Sequence, residues 1–291
     1  TKEMVAAVLS STFRVSKTPA NHNNDIGMPM AILSMPLETQ VAVLEMGMNH
    51  FREIAYLSEI ANPDVAVIVN IGTMHMEYLG SREGIRQAKM EIVEGMAPEG
   101  KLLLNGDDEL LKELPEQPKQ AVTYFGTGDN CAVRGLSAAQ RGEALRFRVD
   151  AGEESFVVEL SLEGDHFIPD ALAAVSVGLE LGLTPDQIRE GLASFRNMAG
   201  RQEIYRAGEY TIIKDCYNAG PESMAAALNV LSGRKGRKIA VLGDMLELGD
   251  SAHPEHYKLG RIAAQKADLL FPYGPHGQVV ADGARVGGMR E

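Results

Sequence analysis

The sequence predicts an α/β fold, and two patterns support that class. Short apolar runs of strand length recur, and several are apolar throughout rather than alternating, which is typical of parallel strands buried on both faces. The stretches between many of them carry the apolar spacing of amphipathic helices. The apolar runs occupy residues 41–44, 65–69, 101–104, 211–213 and 238–242, and the helical spacing is clearest at 53–60 and 81–96. We therefore expect a mostly parallel central sheet covered by helices.

The pattern changes in the middle of the chain. Between residues 124 and 162 the segments become shorter and alternate between apolar and polar residues, as at 145–149 and 156–160. Gly and charged turns separate them, so we predict an antiparallel patch attached to the main sheet. Two helices are expected next, over residues 169–181 and 185–195.

A second series of elements begins near Gly200. It reads as two strands followed by alternating helices and strands, with a helix from Pro221, a strand at Lys238, a helix from about Pro254 and a strand at Leu269. We therefore predict two domains, residues 1–200 and residues 201–291.

Composition excludes several classes of function. The 291 residues include 28 basic and 40 acidic side chains, a net charge of −12, which disfavours general nucleic-acid binding. No apolar run approaches the roughly 18 residues of a membrane helix, and the first residues lack the pattern of a signal peptide. Cys131 and Cys216 are the two cysteines, far apart and without metal-type spacing, which fits a reducing cytoplasm.

Polar residues follow several predicted strands. In open α/β sheets, ligands bind outside the carboxyl ends of the strands, so these residues are candidates for a site, although a turn or cap role is the ordinary alternative for each. They are Glu45, Asn70, Thr73, His75, Asp215 and Asp244. Residues 215–221 have a strand–loop–helix form in which free N–H groups would face an anion, or they form a plain turn.

Lys89 is unusual because it lies within the apolar stripe of the helix predicted over residues 81–96. Two interpretations are open. A lysine whose stem covers apolar surface while its ammonium group reaches water is favoured from the residues alone. A desolvated lysine could instead react or be carbamylated to an anion able to bind a metal.

Glu45, His75 and a carbamylated Lys89 would together form an oxygen- and nitrogen-rich site suited to Mg²⁺ with phosphate oxygens. No cysteine lies near them in sequence to complete a zinc site, and we expect His253 and His256 at the surface. The 291 residues contain neither a GxxxxGK[ST] phosphate loop nor a GxSxG nucleophile elbow. The residues by themselves therefore indicate an α/β protein with a magnesium-phosphate site and no named substrate.

At these same positions the sequence resembles the Mur ligase family. The matching stretches follow the family's order along nearly the whole chain: NHNNDIGMP (residues 21–29), VLEMGMNH (43–50), NIGTMHMEYLGS (70–81), QAKMEI (87–92), GRQEIY (200–205), DCYNAGPESM (215–224) and GDMLELG (243–249). The NNDIG and GDMLELG segments are similar to the branch that adds D-alanyl-D-alanine. The resemblance implies an ATPase-like central domain with a mostly parallel sheet and an antiparallel patch, then a Rossmann-like C-terminal α/β domain.

The activity implied by the resemblance is ATP-dependent amide ligation in peptidoglycan precursor synthesis. ATP would phosphorylate the terminal carboxylate of UDP-N-acetylmuramoyl-tripeptide, and the amine of D-alanyl-D-alanine would attack the acyl phosphate. ATP and Mg²⁺ are the implied cofactors, the cytoplasm is the implied location, and neither nucleic acid nor membrane insertion is involved.

The family's site residues carry over to positions of this sequence. Glu45 and His75 match the Mg²⁺ ligands, and Lys89 matches a lysine that is carbamylated in the family, which reverses the preference stated above. Arg201 and Asp215 match residues that reach the ATP phosphate and ribose, and Asn218 lies in the same nucleotide-facing loop. On the muramoyl-peptide side, the matching residues are Asn23 and Asn24.

Two departures from the family pattern accompany these matches. The family's phosphate loop would stand immediately before Thr1, so we expect the chain to be a portion of such an enzyme, inactive by itself, without the N-terminal domain and with an incomplete C-terminal domain. The family's adenine-side HNxxN motif reads here with Phe167 and Asp170 in place of the two asparagines, and Gly220 replaces another.

Two alternatives remain beside the D-alanyl-D-alanine ligase. One is a related amide ligase, either a folylpolyglutamate-type enzyme or a Mur ligase that adds a single amino acid. The other is a non-catalytic portion that has lost nucleotide binding. The amine that the enzyme prefers distinguishes the D-alanyl-D-alanine ligase from a related amide ligase. The sequence upstream of Thr1 distinguishes it from a non-catalytic portion, because a ligase would have the phosphate loop there.

Overall fold

The structure is a computed structural model that describes residues 1–290. These residues form two compact units. The first contains Thr1–Ile71 and Glu83–Arg196, and the second contains Gly72–Arg82 together with the residues from Asn197 onward. The segment Gly72–Arg82 thus belongs to the second unit, although the chain on both sides of it lies in the first.

Over the described residues the chain forms twelve strands and eleven α-helices. The strands are β1 (Val15–Lys17), β2 (Val41–Val43), β3 (Val65–Ile68), β4 (Lys101–Asn105), β5 (Ala121–Gly126), β6 (Val133–Arg141), β7 (Ala144–Ala151), β8 (Glu154–Leu160), β9 (Glu203–Ala207), β10 (Tyr210–Lys214), β11 (Ile239–Leu242) and β12 (Leu269–Pro272). The helices are α1 (Lys2–Leu9), α2 (Gly27–Leu33), α3 (Glu53–Ala61), α4 (Met76–Leu79), α5 (Arg82–Met90), α6 (Glu109–Lys112), α7 (Ile168–Glu180), α8 (Pro185–Ser194), α9 (Pro221–Ser232), α10 (Ala252–Lys266) and α11 (Gly277–Val286). None of these helices is long and apolar enough to cross a membrane.

A six-stranded sheet organises the first unit, in the order β3-β4-β5-β6-β7-β8. Strands β3 to β6 pair in parallel, and β6, β7 and β8 pair antiparallel. Strands β1 and β2 form a separate parallel pair. The predicted α/β class, with an antiparallel patch on a mostly parallel sheet, is confirmed.

Strand β6 was not among the predicted strands, and its geometry explains why. Its register shifts between Leu136 and Ala139, and Ser137 has a φ of 54°. The outer half of the strand is exposed, so an alternating burial pattern holds only over its first residues. A bulged, solvated strand gives little periodic signal.

Helix α7 is the buried helix of the first unit. Its residues from Ala171 to Val177 are all buried, and the helix packs on strands β4, β5 and β6 and on α1. Helices α1 and α8 also pack against each other at very short distance, because a Cβ on Gly191 would lie 2.4 Å from Cα of Val8. Such an approach requires glycine at position 191.

The second unit combines a hairpin with a parallel pair. Strands β9 and β10 pair antiparallel, whereas β11 and β12 pair in parallel. Helices α9, α10 and α11 accompany them, and the apolar core includes Leu228, Ala240 and Leu259. Helices α10 and α11 cross closely, since a Cβ on Gly283 would lie 2.1 Å from the carbonyl oxygen of Tyr257.

The helix predicted over residues 81–96 is divided in the structure. The α-helix ends at Met90, and Glu91–Gly95 continues as a 3₁₀ helix. The carboxylate of Glu91 is buried and accepts the backbone N–H groups of Arg52 and Ala55. Gly95 lies so close to Ser58 that a Cβ would stand 2.1 Å from its carbonyl carbon. Both residues that contact α3 therefore lie in the 3₁₀ helix.

His256 corrects the expectation that it lies at the surface. Its side chain is fully buried, and Nε2 accepts the N–H of Met245 at 2.9 Å. Nδ1 lies 2.6 Å from the carbonyl oxygen of Ala252, and the ring stacks on that of His276. A histidine with both nitrogens bonded holds the GDMLELG segment against α10.

Candidate functional site

Glu45 follows β2 by two residues, and three contacts hold it. Its backbone N–H donates to Oγ1 of Thr18 at 3.0 Å. The side-chain amide of Asn23 donates to Oε1 at 3.1 Å, and Nζ of Lys2 lies 3.3 Å from Oε2. The Glu45 side chain is 41% exposed, so the carboxylate is oriented from both sides and still reaches solvent.

The loop of residues 21–27 brings the predicted substrate residues Asn23 and Asn24 to this place. The carbonyl oxygen of Asn23 accepts the N–H of Gly47 at 2.8 Å, and a Cβ on Gly47 would lie 2.7 Å from Nδ2 of Asn23. Oδ1 of Asn24 accepts the N–H of Gly27 at 2.7 Å, which closes the turn before α2. The structure thus joins Asn23 to Glu45, whereas Asn24 shapes the loop.

Lys89 lies on the last turn of α5, where Ile85 and Ala88 are buried. Its side chain is half-buried, and Nζ donates to the carbonyl oxygen of Asn70 at 2.7 Å. Asn70 follows β3, so the ammonium group lies at the carboxyl end of a parallel strand. This position agrees with the rule that polar groups gather at the carboxyl ends of strands.

His75 belongs to the second unit, whereas Glu45 and Lys89 belong to the first. It has a φ of 64° and stands just before α4. Its Nδ1 lies 2.7 Å from Oε2 of Glu247, and nearby Oγ1 of Thr73 donates to the carboxylate of Glu222 at 3.0 Å.

Glu247 and Glu222 were not selected as candidates from the sequence. Glu247 lies in the GDMLELG stretch and Glu222 in the DCYNAGPESM stretch. Their importance appears only in the structure, where Glu247 contacts His75 and Glu222 contacts Thr73. The set of Glu45, His75 and Lys89 as metal ligands stays a prediction.

The predicted nucleotide residues of the second unit lie at one loop. The carbonyl oxygen of Gly200 accepts the N–H groups of Cys216 and Tyr217, at 2.9 and 3.2 Å, which brings Arg201 beside this loop. The guanidinium carbon of Arg201 lies 4.1 Å from the centre of the Tyr217 ring, a cation–π contact. Sequence reasoning missed Tyr217.

Asp215 and Asn218 flank this contact, and both are exposed. Oδ1 of Asn218 accepts the N–H of Ala219 at 2.8 Å, which turns the chain toward α9. A cation, a carboxylate and an amide therefore border one exposed loop that ends at a helix N-terminus. Groups of this kind can bind phosphate and hydroxyl oxygens.

The altered HNxxN motif lies at the start of α7. Phe167 is buried and its ring lies 4.2 Å from that of His166, centre to centre. Asp170 accepts a hydrogen bond from the hydroxyl of Thr1. The two replacing residues thus have local partners in the first unit.

Comparison with protein families gives two matches. The family described as "Mur ligase middle domain" matches residues 1–178, and the one described as "Mur ligase, glutamate ligase domain" matches residues 200–290. Together they account for most of the chain.

Individual relatives agree with the family matches. A UDP-N-acetylmuramoyl-tripeptide–D-alanyl-D-alanine ligase of Bacillus subtilis (strain 168) is 41% identical over 288 residues, which are 98% of this chain and 62% of that protein. The corresponding ligase of Escherichia coli (strain K12) is 33% identical over 290 residues, 98% of this chain and 64% of that protein. The chain therefore spans somewhat under two thirds of the length of these relatives.

Solved structures give the same result. A crystal structure of MurF from Acinetobacter baumannii superposes with a TM-score of 0.92 at 36% identity, over 97% of this chain and 62% of that one. MurF ligase from Thermotoga maritima, in complex with ADP, has a TM-score of 0.87 at 30% identity, over 96% of this chain and 65% of that one. Since one family description covers more than half of the residues, the chain belongs to the Mur ligase family.

Proposed function

We propose that the complete product of the gene encoding this chain is an ATP-dependent amide ligase that adds D-alanyl-D-alanine to UDP-N-acetylmuramoyl-tripeptide. The observation that carries the proposal is the 41% identity, over 98% of this chain, to a relative named for that reaction. We place the reaction in the cytoplasm, because both cysteines are free thiols and a reducing compartment suits them.

The chemistry requires two transfers. The γ-phosphoryl group of ATP passes to the terminal carboxylate of the tripeptide, which forms an acyl phosphate and ADP. The amine nitrogen of D-alanyl-D-alanine then attacks the acyl carbon, phosphate leaves, and the nitrogen loses a proton. Positioning and charge neutralisation contribute most to catalysis of such steps.

Glu45, His75 and a carbamylated Lys89 would hold Mg²⁺. The donor set fits this ion, because Glu45 presents an oriented, partly exposed carboxylate and a carbamate would add two further oxygens. Within the described residues no three His, Cys, Asp or Glu side chains group as a metal site. When bound, Mg²⁺ neutralises charge on the phosphate oxygens.

Arg201, Asp215 and Asn218 are the proposed nucleotide contacts of the C-terminal domain. Arg201 would bind phosphate oxygens, and Asp215 would accept a hydrogen bond from a ribose hydroxyl. Asn218 would border the same nucleotide. Their common loop, with Tyr217 against Arg201, supports this assignment.

Asn23 and Asn24 are the proposed contacts on the muramoyl-peptide side. The hydrogen bond from Asn23 to Glu45 supports a substrate loop next to the metal ligand. We assign residues 1–200 to the central ATP-binding domain and residues 201–291 to the C-terminal domain.

The test is phosphate release by the complete gene product with ATP, Mg²⁺ and UDP-N-acetylmuramoyl-tripeptide. D-alanyl-D-alanine is compared with D-alanine, L-lysine and L-glutamate as the amine. We expect release with the dipeptide alone. Release with a single amino acid would assign the protein to another branch of the family, and no release from a folded protein would support a non-catalytic role.

A further inference from the structure

The side chain of Lys2, in the first unit, is nearly buried. It begins α1, and only 7% of its side chain is exposed. Its Nζ donates to the carbonyl oxygen of Thr18 at 2.8 Å and to that of Ala20 at 2.7 Å, and it lies 3.3 Å from Oε2 of Glu45. An ammonium group has three donors, and these three oxygens are its nearest acceptors. The carboxylate of Glu3 lies further away, with Oε1 3.8 Å from Nζ.

Burial of a charged group costs free energy unless it is paired and hydrogen-bonded. Lys2 meets that condition by joining two segments that follow neighbouring strands. Thr18 and Ala20 come directly after β1, and Glu45 comes after β2. Ala20 has a φ of 43°, an uncommon conformation for alanine, and its carbonyl oxygen is bonded to Lys2 in that conformation.

The contacts of Lys2 continue into the loop of residues 21–27. Thr18, whose carbonyl oxygen accepts from Lys2, also accepts the N–H of Glu45 through Oγ1. Asn23 bonds the opposite carboxylate oxygen of Glu45. Both oxygens of this carboxylate therefore have a partner, Lys2 on one side and Asn23 on the other.

We propose that Lys2 is a positioning residue, which sets the orientation of the Glu45 carboxylate and the path of the loop that carries Asn23. This inference rests on the proposed function, because it takes Glu45 as a metal ligand. Groups that orient a ligand carboxylate govern metal affinity from outside the coordination sphere, and their removal typically costs 10- to 100-fold in affinity or activity.

Lys17, the last residue of β1, is the control. It also pairs with a carboxylate, that of Glu3, but 44% of its side chain is exposed. Lys17→Met removes the same charge as Lys2→Met, but its ion pair is with Glu3, which also lies 3.8 Å from Lys2, and not with Glu45.

The experiment uses the complete gene product with Lys2→Met, Lys2→Arg, Lys17→Met and Glu45→Gln. Binding of Mn²⁺ in place of Mg²⁺ is measured by electron paramagnetic resonance, with a non-hydrolysable ATP analogue at saturation. Exchange of the backbone amides of Glu45 and Gly47 is measured in the same proteins without metal. Phosphate release in the presence of Mg²⁺ is the third measurement.

We expect Lys2→Met to weaken Mn²⁺ binding by about tenfold or more and to speed exchange at both amides. Lys2→Arg should change both in the same direction, because a planar guanidinium group cannot reproduce the three contacts of the ammonium group. Lys17→Met should leave both unchanged. If Lys2→Met fails to fold, Lys2→Arg decides the outcome.

Mn²⁺ binding and amide exchange in the Lys2 variants equal to those of Lys17→Met would overturn the inference. If the wild type releases no phosphate with D-alanyl-D-alanine, or Glu45→Gln retains full release and Mn²⁺ affinity, the proposed function fails instead. Amide exchange reports on the positioning by Lys2 in either case, so the two failures are distinguishable.

Discussion

The carboxylate of Glu91 caps the N-terminus of α3 by accepting the backbone N–H of Arg52 at 2.8 Å with each oxygen. Arg52 has a φ of 74°, so the chain enters α3 through a left-handed residue. The N–H of Ala55 reaches the same carboxylate at 3.3 Å. An anion at the start of a helix also meets the positive end of its dipole.

Glu91→Ala should therefore destabilise the first unit, by about 2 kcal/mol, because the part-buried N–H of Arg52 and the buried N–H of Ala55 lose their acceptor. The measurement is the free energy of unfolding in urea. Glu94→Gln is the control, since Glu94 pairs with the exposed guanidinium group of Arg52 and leaves the helix N-terminus intact. Equal losses for the two variants would contradict the capping role of Glu91.

The same residue shows why part of the fold could not be read from the sequence. Apolar spacing predicts one helix over residues 81–96, and it correctly places α5. The 3₁₀ helix begins at Glu91, whose carboxylate accepts the N–H of Arg52, 39 positions away. Periodicity within a window carries no information about such a contact. Strands β2, β3 and β4, by contrast, were predicted because their apolar runs are local.

The candidate site divides in a similar way. The rule that ligands bind at the carboxyl ends of strands selected Glu45 and Asp215 from the sequence. Lys2 and Glu247 could not be selected in this way, because their partners are distant in the chain. Lys2 pairs with Glu45, and Glu247 contacts His75. Tyr217 lies within the DCYNAGPESM stretch, but its contact with Arg201 appears only in the structure.

Lys89 is expected to be essential for ligation and dispensable for folding. In the complete gene product, Lys89→Ala and Lys89→Arg should both lose phosphate release, because neither side chain can present a carbamate. His75→Ala should lose it as well. Their melting temperatures should stay close to that of the wild type, since Lys89 is half-buried and makes its contact through Nζ.

A second readout tests the modification of Lys89 without turnover. Wild-type protein equilibrated with ¹³C-bicarbonate should show a carbamate carbon resonance that is absent from Lys89→Arg. Near-normal phosphate release by Lys89→Arg would show that no carbamate is needed and would remove Lys89 from the metal site.

The crossing of α10 and α11 predicts a cost for Gly283→Ala. Alanine favours a helix over glycine by about 1 kcal/mol, so an exposed site would gain stability. Here the new Cβ would lie 2.1 Å from the carbonyl oxygen of Tyr257, which forces the helices apart. Overpacking of this kind costs about 1–3 kcal/mol, and we expect a net loss.

Amide exchange in α10 and α11 measures this loss within the second unit. Gly243→Ala is a control outside the helices, since nothing lies within 4 Å of the Cβ that it would add. Slower exchange in Gly283→Ala than in the wild type would mean that the helices accommodate the methyl group and that their close approach is not required.

The two thiols should differ in reactivity. Burial and the carboxylate of Asp107 raise the pKa of Cys131, whereas Cys216 is exposed on the loop that follows β10. Thiolate is the reactive form, so a raised pKa leaves less of it at neutral pH. Iodoacetamide at pH 7.5 should therefore modify Cys216 first, as read by peptide mass spectrometry.

The pH dependence of Cys131 gives the sharper test. Its modification should accelerate steadily as the pH rises toward and beyond 9.0, the ordinary pKa of the thiol, because the shift is upward. In Asp107→Asn one of the two causes is removed, so modification of Cys131 should speed up at a fixed pH of 8.5. The carboxylate also accepts the N–H groups of Thr127 and Gly128, so the circular dichroism spectrum of the variant is compared with that of the wild type to check that it is folded. A Cys131 rate unchanged by Asp107→Asn would leave burial as the whole cause of its raised pKa.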